Sequence, residues 1–189
     1  VKNMRLIYLA AKVRLGFLIM ACALAGIAVS PSSALSNVQI IVLALAVLLS
    51  SSITGAFNQL YERDIDAVMS RTQHRPFVTG QFLPSNAWKL WLFFLSLIAI
   101  MIAYLAANME AALFLFAGSF TYAVIYTVWL KRKTWMNIVI GGFAGSFAVL
   151  VGSAATGSTF APAPLILAVI LFLWTPPHFW ALAIICKED

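Results

Sequence analysis

Six long runs of apolar residues, separated by short polar stretches, constrain the fold of this chain more than any other feature. A membrane-spanning helix needs about 20 consecutive, mostly apolar residues. The runs cover approximately residues 15–30, 38–57, 88–107, 111–130, 136–156 and 164–185. They do not alternate apolar and polar side chains as the strands of a membrane barrel do. We therefore predict an all-α, polytopic transmembrane bundle that has about six helices in this chain.

The composition argues against a soluble domain. The 189 residues are 63% hydrophobic and 10% charged, with a mean hydropathy of +0.98, whereas soluble domains carry about 25% charged residues. A soluble fold of this length could not bury so many apolar side chains. We expect one transmembrane domain over residues 1–189.

The basic residues occupy alternate connections between the runs. They precede the first run, separate the second from the third and the fourth from the fifth, and follow the sixth. The other three connections contain no Lys or Arg. The positive-inside rule then predicts that the basic connections share the cytoplasmic side, or the matrix side in a mitochondrion. Since orientation explains the net charge of +6, no nucleic-acid partner is expected.

The acids are concentrated in NQLYERDIDAVMSRTQHRP, residues 58–76. If the second helix continues past Phe57, Asn58, Glu62 and Asp66 lie on one face at the membrane edge. Carboxylates on adjacent turns repel each other, and a bound cation relieves that repulsion. A few hard oxygen ligands suit Mg²⁺, which completes its shell with waters and phosphate. Asp64 faces elsewhere on a helix, so we expect it to pair with a nearby Arg or to cap a turn.

Basic side chains follow the acids. Arg71 and Arg75 are suited to phosphate, because the guanidinium donates two hydrogen bonds at once. Together the stretch predicts a site for a diphosphate held through Mg²⁺. The alternative is a solvated loop whose acids and bases pair with one another. Lys131 and Arg132 are explained by topology, and they could also reach a phosphate from the same side.

These residues resemble a known family, the intramembrane UbiA-type prenyltransferases. NQLYERDIDAVMSRTQHRP is similar to the family's first aspartate-rich motif, NDxxDxxxD, with Glu62 in place of an Asp. The longer words ERDIDAVMSRTQHRPFVTG, YTVWLKRKTWMNIVIGG and FLWTPPHFWALAIICKED resemble its protohaem IX farnesyltransferase (haem O synthase) branch. The resemblance covers essentially the whole chain.

The resemblance implies a reaction. Farnesyl diphosphate would bind through Mg²⁺, lose its diphosphate and alkylate a vinyl group of haem b, and water would then quench the product cation to give haem O. Haem A synthase or terminal-oxidase assembly are the implied partners. The implied location is the bilayer of a bacterial plasma (inner) membrane rather than the mitochondrial inner membrane.

The resemblance also assigns residues. The implied catalytic residues are Asn58, Glu62 and Asp66, with Glu62 and Asp66 as metal ligands. The implied diphosphate-binding residues are Arg71, Arg75, Lys131 and Arg132. His178, in TPPHFWA, is a candidate haem contact or a hydrogen-bonding residue that holds a proline kink, and His74 is a second candidate haem contact.

The chain departs from the family at three places. Ala11-Lys12-Val13-Arg14 lacks the proline of the usual Thr-Lys-Pro-Arg word, and Ala148-Val149 replaces paired prolines. We expect both changes to affect structure more than chemistry. The family fold has nine helices and a second aspartate-rich motif, of which Asp189 would be an early residue and a metal ligand. We therefore expect a fragment, truncated at its C-terminus, that is inactive alone.

Two other functions compete with this prediction. A UbiA-type enzyme could use a quinone precursor or chlorophyllide as acceptor, although the quoted words favour haem. A transporter would place ionisable residues near the bilayer midplane. Here the acids cluster at one edge, which favours the enzyme.

Overall fold

The computed structural model describes residues 2–31 and 35–185, with the side chains of residues 2 and 3 left out. These residues form helices, turns and loops, with no β-strand among them. The helices are α1 (Lys2–Ala10), α2 (Val13–Ala28), α3 (Asn37–Tyr61), α4 (Arg63–Asp66), α5 (Asn86–Ala106), α6 (Met109–Phe120), α7 (Asn137–Ala155) and α8 (Pro162–Ile185). The α6 helix continues as a π-helix, Thr121–Leu130, which we call the π segment.

The predicted transmembrane bundle is confirmed. In the described part of the chain, five helices are long and apolar enough to cross a membrane, counting α6 and the π segment as one. A sixth span results if α1 and α2, which meet at 57°, are counted together. The observed helices match the six predicted runs to within a few residues, except that α3 continues four residues beyond Phe57. The chain is an integral membrane protein.

The helix ends follow from local sequence. Ser36 and Gln39 form a reciprocal capping box at the start of α3. At the end of α7, Gly157 adopts a φ of +72°. The amides of Gly157 and Ser158 then bond back to the carbonyls of Ala154 and Ser153, as in a Schellman motif.

Small residues let α2 and α7 approach closely. A Cβ added at Gly152 would lie 2.0 Å from the Ala23 carbonyl oxygen, and one added at Gly26 would lie 2.2 Å from that of Val149. Membrane helices pack through such contacts because lipid provides no hydrophobic driving force. α7 also packs against α6 and α8, while α3 packs against α2 and α5. α3 and α7 are therefore the most buried spans.

The connection between α4 and α5 folds back on the bundle. Phe77 is 3% exposed and contacts the rings of Phe82 and Trp88 at centroid distances of 5.6 and 5.5 Å. These rings pack against the ends of α3 and α5. The aromatic cluster fixes the loop that carries Arg71 and Arg75.

The last helix, α8, is largely exposed. Only 6% of the most apolar stretch of α8 is buried. The helix packs against α7. It continues through Pro176 and Pro177. A proline has no amide hydrogen, so these two positions still leave carbonyls of the preceding turn without their helical donor.

Candidate functional site

The end of α3 and the short α4 bring three predicted residues onto one buried face. The amide of Glu62 donates to the carbonyl of Asn58, and the amide of Asp66 donates to that of Glu62, both at 2.9 Å. The i, i−4 pattern therefore continues from Asn58 to Asp66, as the spacing predicted. Asn58, Glu62 and Asp66 are 1%, 1% and 3% exposed.

Each of these three residues accepts a bond from a basic side chain that comes from another part of the sequence. The bonds are Lys12 Nζ to Asn58 Oδ1 at 2.5 Å, Lys131 Nζ to Glu62 Oε2 at 2.6 Å and Arg75 Nη1 to Asp66 Oδ2 at 2.6 Å. We call these six residues the charged cluster. Two carboxylates are thus buried at the end of the bundle with three cations beside them.

The π segment positions two contacts of the charged cluster. Thr127 Oγ1 donates to the carbonyl of Tyr122 at 2.8 Å and accepts from Asn58 Nδ2 at 3.1 Å. The amide of Lys131 bonds to the carbonyl of Tyr126, five residues back. Single π-helical turns often mark functional sites because they re-aim side chains. Here the wider turn directs Thr127 and Lys131 toward α3.

Lys12 is the residue of the charged cluster that was not predicted to belong to the site. It lies at the break between α1 and α2 with a φ of 48°, in the left-handed region. Gly55 makes room for it, since an added Cβ there would lie 3.2 Å from Lys12 Cβ. Gln59 Nε2 donates to the Leu9 carbonyl at 2.8 Å beside the break. The Ala-Lys-Val-Arg word was the available signal, but its contact with Asn58 depends on tertiary packing.

Asp64 lies outside the charged cluster and pairs with an Arg, as expected. Arg132 Nη2 donates to Asp64 Oδ1 at 2.8 Å, and its guanidinium carbon lies 5.4 Å from the ring centroid of Tyr61. The hydrogen bond from Arg132 lowers the pKa of the Asp64 carboxyl, and the same bond raises the pKa of Arg132. Both side chains are exposed, so this pair is worth at most about 1 kcal/mol.

The other predicted site residues lie elsewhere. Arg71 and His74 have exposed side chains in the loop between α4 and α5. His178 is exposed on α8, where its ring stacks on Trp174 at 6.1 Å and contacts Phe179 edge-on at 5.6 Å. Asp189 lies outside the described residues.

The donor set of the cluster fits a hard metal ion such as Mg²⁺. Glu62 Oε1 is buried and has no hydrogen-bond partner among the described residues, so its lone pairs are available. In the same part of the chain, no three His, Cys, Asp or Glu side chains are grouped to hold a metal. Two carboxylates and an amide would therefore need oxygen ligands from water and phosphate as well, which is typical of Mg²⁺.

A cavity of about 70 Å³ lies within the bundle, between α2, α3, α6 and α7 and the π segment. Its wall is mostly apolar and includes Val47, Thr54, Phe114 and Tyr122. Thr54 is one helical turn from Asn58, so the cavity lies on the bundle side of the charged cluster. Ser50 and Ser119 contribute a polar contact, with their hydroxyl oxygens 2.6 Å apart.

Comparisons with known proteins identify the family of the chain. The sequence profile of the UbiA prenyltransferase family matches residues 19–189. The chain is 49% identical over 99% of its length to protoheme IX farnesyltransferase 2 of Paramagnetospirillum magneticum. It is 48% identical over 80% of its length to protoheme IX farnesyltransferase 1 of the same organism, and 43% identical over 87% to protoheme IX farnesyltransferase of Gluconacetobacter diazotrophicus.

The chain spans 65%, 53% and 52% of the lengths of these three relatives. No solved structure matches it.

Proposed function

Because the chain belongs to the UbiA prenyltransferase family, we propose that this protein transfers a farnesyl group from farnesyl diphosphate to a vinyl group of haem b, giving haem O. The names of the similar proteins support this acceptor. The single structural observation that carries the proposal is the charged cluster, buried at the end of an apolar bundle beside a cavity. Such a cluster suits a ligand with a highly charged head and an apolar tail.

The proposed metal ligands are Glu62 and Asp66, with Asn58 oriented beside them by Thr127 and Lys12. Bound Mg²⁺ would neutralise charge on the departing diphosphate. The buried, unpartnered oxygen of Glu62 supports this role. Asp189 is proposed to belong to a second acidic site that completes the metal shell.

The proposed diphosphate contacts are basic side chains of the two neighbouring loops. Lys131 and Arg75 lie closest to the candidate metal ligands, at 2.6 Å from Glu62 and Asp66. Arg71 and Arg132, both exposed, would contact the diphosphate from the mouth of the site. Preorganised positive charge in a water-poor site stabilises a leaving group without reorganisation during the reaction.

The cavity is the proposed position of the first isoprene units. Departure of diphosphate leaves an allylic cation, which the vinyl group attacks and which water must not reach first. The low polarity of Val47, Phe114 and their neighbours would exclude that water. The ring faces of Tyr122 and Tyr126, stacked at 5.5 Å, can stabilise a cation.

His178 is the proposed haem contact and His74 a second one, because imidazole is a common ligand of haem iron.

We place the protein in a bacterial plasma membrane with the charged cluster at the cytoplasmic face. Lys12 and residues 58–76 and 131–133 lie at one end of the bundle, which supports a shared side. Haem A synthase or terminal-oxidase assembly would consume the product.

The test uses the full-length protein purified in detergent with haem b, farnesyl diphosphate and Mg²⁺, followed by mass spectrometry of the haem. We expect a hydroxyethylfarnesyl haem, no product after EDTA, and recovery on adding Mg²⁺. A prenylated quinone precursor or chlorophyllide in place of farnesylated haem would move the protein to another branch of the family. Asp66→Ala is expected to abolish product, and full activity of that variant would refute the assignment of the cluster.

A further inference from the structure

The two candidate metal ligands of the charged cluster, and Asn58 beside them, already accept bonds from basic side chains. The pairs are Asn58 with Lys12, Glu62 with Lys131 and Asp66 with Arg75. At Glu62 the ammonium bonds Oε2, while Oε1 is buried and has no partner among the described residues. A metal ion bound to these carboxylates would place its positive charge beside basic side chains that already neutralise them.

The net charge of the charged cluster disfavours binding of a metal ion alone. When all five groups are ionised, its three basic side chains and two carboxylates carry a net charge of +1 in a largely buried site. A lone divalent ion would raise that charge to +3, which is costly where the surroundings are poorly polarisable. A diphosphate ester brings roughly three negative charges. Metal and diphosphate entering together would leave the site close to neutral.

The basic side chains that would move away from the carboxylates are suited to bind the incoming diphosphate. Lys131 and Arg75 have 31% and 22% exposed side chains, whereas those of Glu62 and Asp66 are only 2% and 5% exposed. These two basic side chains are thus open to an incoming ligand, whereas the carboxylates are buried on the helix. Ammonium and guanidinium groups are strong phosphate donors.

We propose that Lys12, Lys131 and Arg75 transfer from Asn58, Glu62 and Asp66 to the diphosphate when it enters with Mg²⁺, so that metal and diphosphate bind cooperatively. This proposal rests on the proposed function. It adds that binding of the metal and binding of the diphosphate depend on each other. Coupling is reciprocal, so each ligand must raise the affinity for the other by the same factor. Couplings between ligands are typically about 5- to 150-fold, and we expect at least about tenfold.

The experiment measures binding rather than turnover, on the full-length protein in detergent. Binding of farnesyl thiolodiphosphate, a slowly reacting analogue, is measured with and without Mg²⁺. Binding of Mn²⁺ alone is measured by electron paramagnetic resonance of the free ion. We expect Mg²⁺ to tighten analogue binding at least about tenfold.

Lys131→Gln separates exchange from a purely structural role. Removing the ammonium should tighten Mn²⁺ binding at least about threefold and weaken binding of the analogue with Mg²⁺. A merely structural lysine would weaken both when lost. Lys133→Gln is the matched control, an exposed lysine two residues away, and should change neither. Lys12→Gln, which removes the partner of Asn58, should likewise tighten Mn²⁺ binding and weaken binding of the analogue with Mg²⁺. This variant replaces Lys131→Gln as the test if Lys131→Gln does not fold.

The outcomes distinguish the inference from the proposed function. Analogue binding that is independent of Mg²⁺, or Mn²⁺ binding that does not tighten in Lys131→Gln or Lys12→Gln, overturns the exchange while leaving the prenyl transfer intact. Failure of the native protein to bind the analogue under any condition overturns both.

Discussion

Lys12 Nζ donates a 2.5 Å hydrogen bond to Asn58 Oδ1 across 46 residues of sequence. The contact needs the break between α1 and α2 and the missing side chain at Gly55. On its other side, Asn58 donates to Thr127 of the π segment. One amide is therefore oriented by two segments that are remote from it in sequence.

The buried carboxylate of Glu62 should matter far more than the exposed one of Asp64. Glu62→Gln removes a metal ligand and the partner of Lys131, so we expect farnesyl transfer to fall by about 100-fold or more. Asp64→Asn removes only a surface ion pair, worth about 0–1 kcal/mol, and should keep the rate within about threefold. Steady-state rates of haem farnesylation measure both. Equal losses in the two variants would contradict the assignment.

Thr127 should act through Asn58. Thr127→Val keeps the shape but leaves the buried amide of Asn58 without its acceptor, a loss of about 1–3 kcal/mol. We expect kcat/KM for farnesyl diphosphate to fall by roughly tenfold or more. Thr156→Val, which removes a hydroxyl that donates to the Ser153 carbonyl at the end of α7, is the control. A Thr127→Val variant with native kcat/KM would show that the orientation of Asn58 is unimportant.

The close contact of α2 with α7 should limit stability. Gly152→Ala would place a Cβ 2.0 Å from the Ala23 carbonyl oxygen, whereas a Cβ at Gly145 on the same helix meets nothing within 4 Å. Overpacking costs about 1–3 kcal/mol or more, which corresponds to a drop in Tm of roughly 3–10 °C. Gly145→Ala should hold or raise Tm, since Ala favours the helix. Thermal unfolding in detergent compares the two, and equal Tm values would refute the packing.

The sidedness of the bundle can be tested with single cysteines, after Cys22 and Cys186 are replaced by Ser. Gln81→Cys lies in the exposed loop between α4 and α5, and Phe160→Cys lies between α7 and α8. The positive-inside rule predicts that an impermeant maleimide labels Gln81→Cys only in inverted vesicles and Phe160→Cys in intact cells. The reverse pattern would place the charged cluster on the outer face.

The helical spans were predicted correctly because they depend on the length of apolar runs. The face shared by Asn58, Glu62 and Asp66 was predicted correctly because it depends on their i, i+4, i+8 spacing. The pairing of Asp64 with an Arg was also confirmed, although sequence did not say which one. The π segment was not predicted, because its wider turn has no distinct residue pattern. The run predicted over residues 164–185 already included Pro176 and Pro177, and α8 does continue through both.

The sequence by itself therefore determined that the chain crosses a membrane and which acids share a helical face, since both depend only on the hydropathy and order of neighbouring residues. Tertiary structure alone decided which cation meets which candidate ligand. The three cations come from three segments of the chain. Lys12 is positioned by the break between α1 and α2, Arg75 by the loop that the aromatic cluster holds, and Lys131 by the π segment. Those contacts depend on how closely the helix backbones approach one another at small residues such as Gly55 and Gly152. No local sequence pattern determines the distance between two helices.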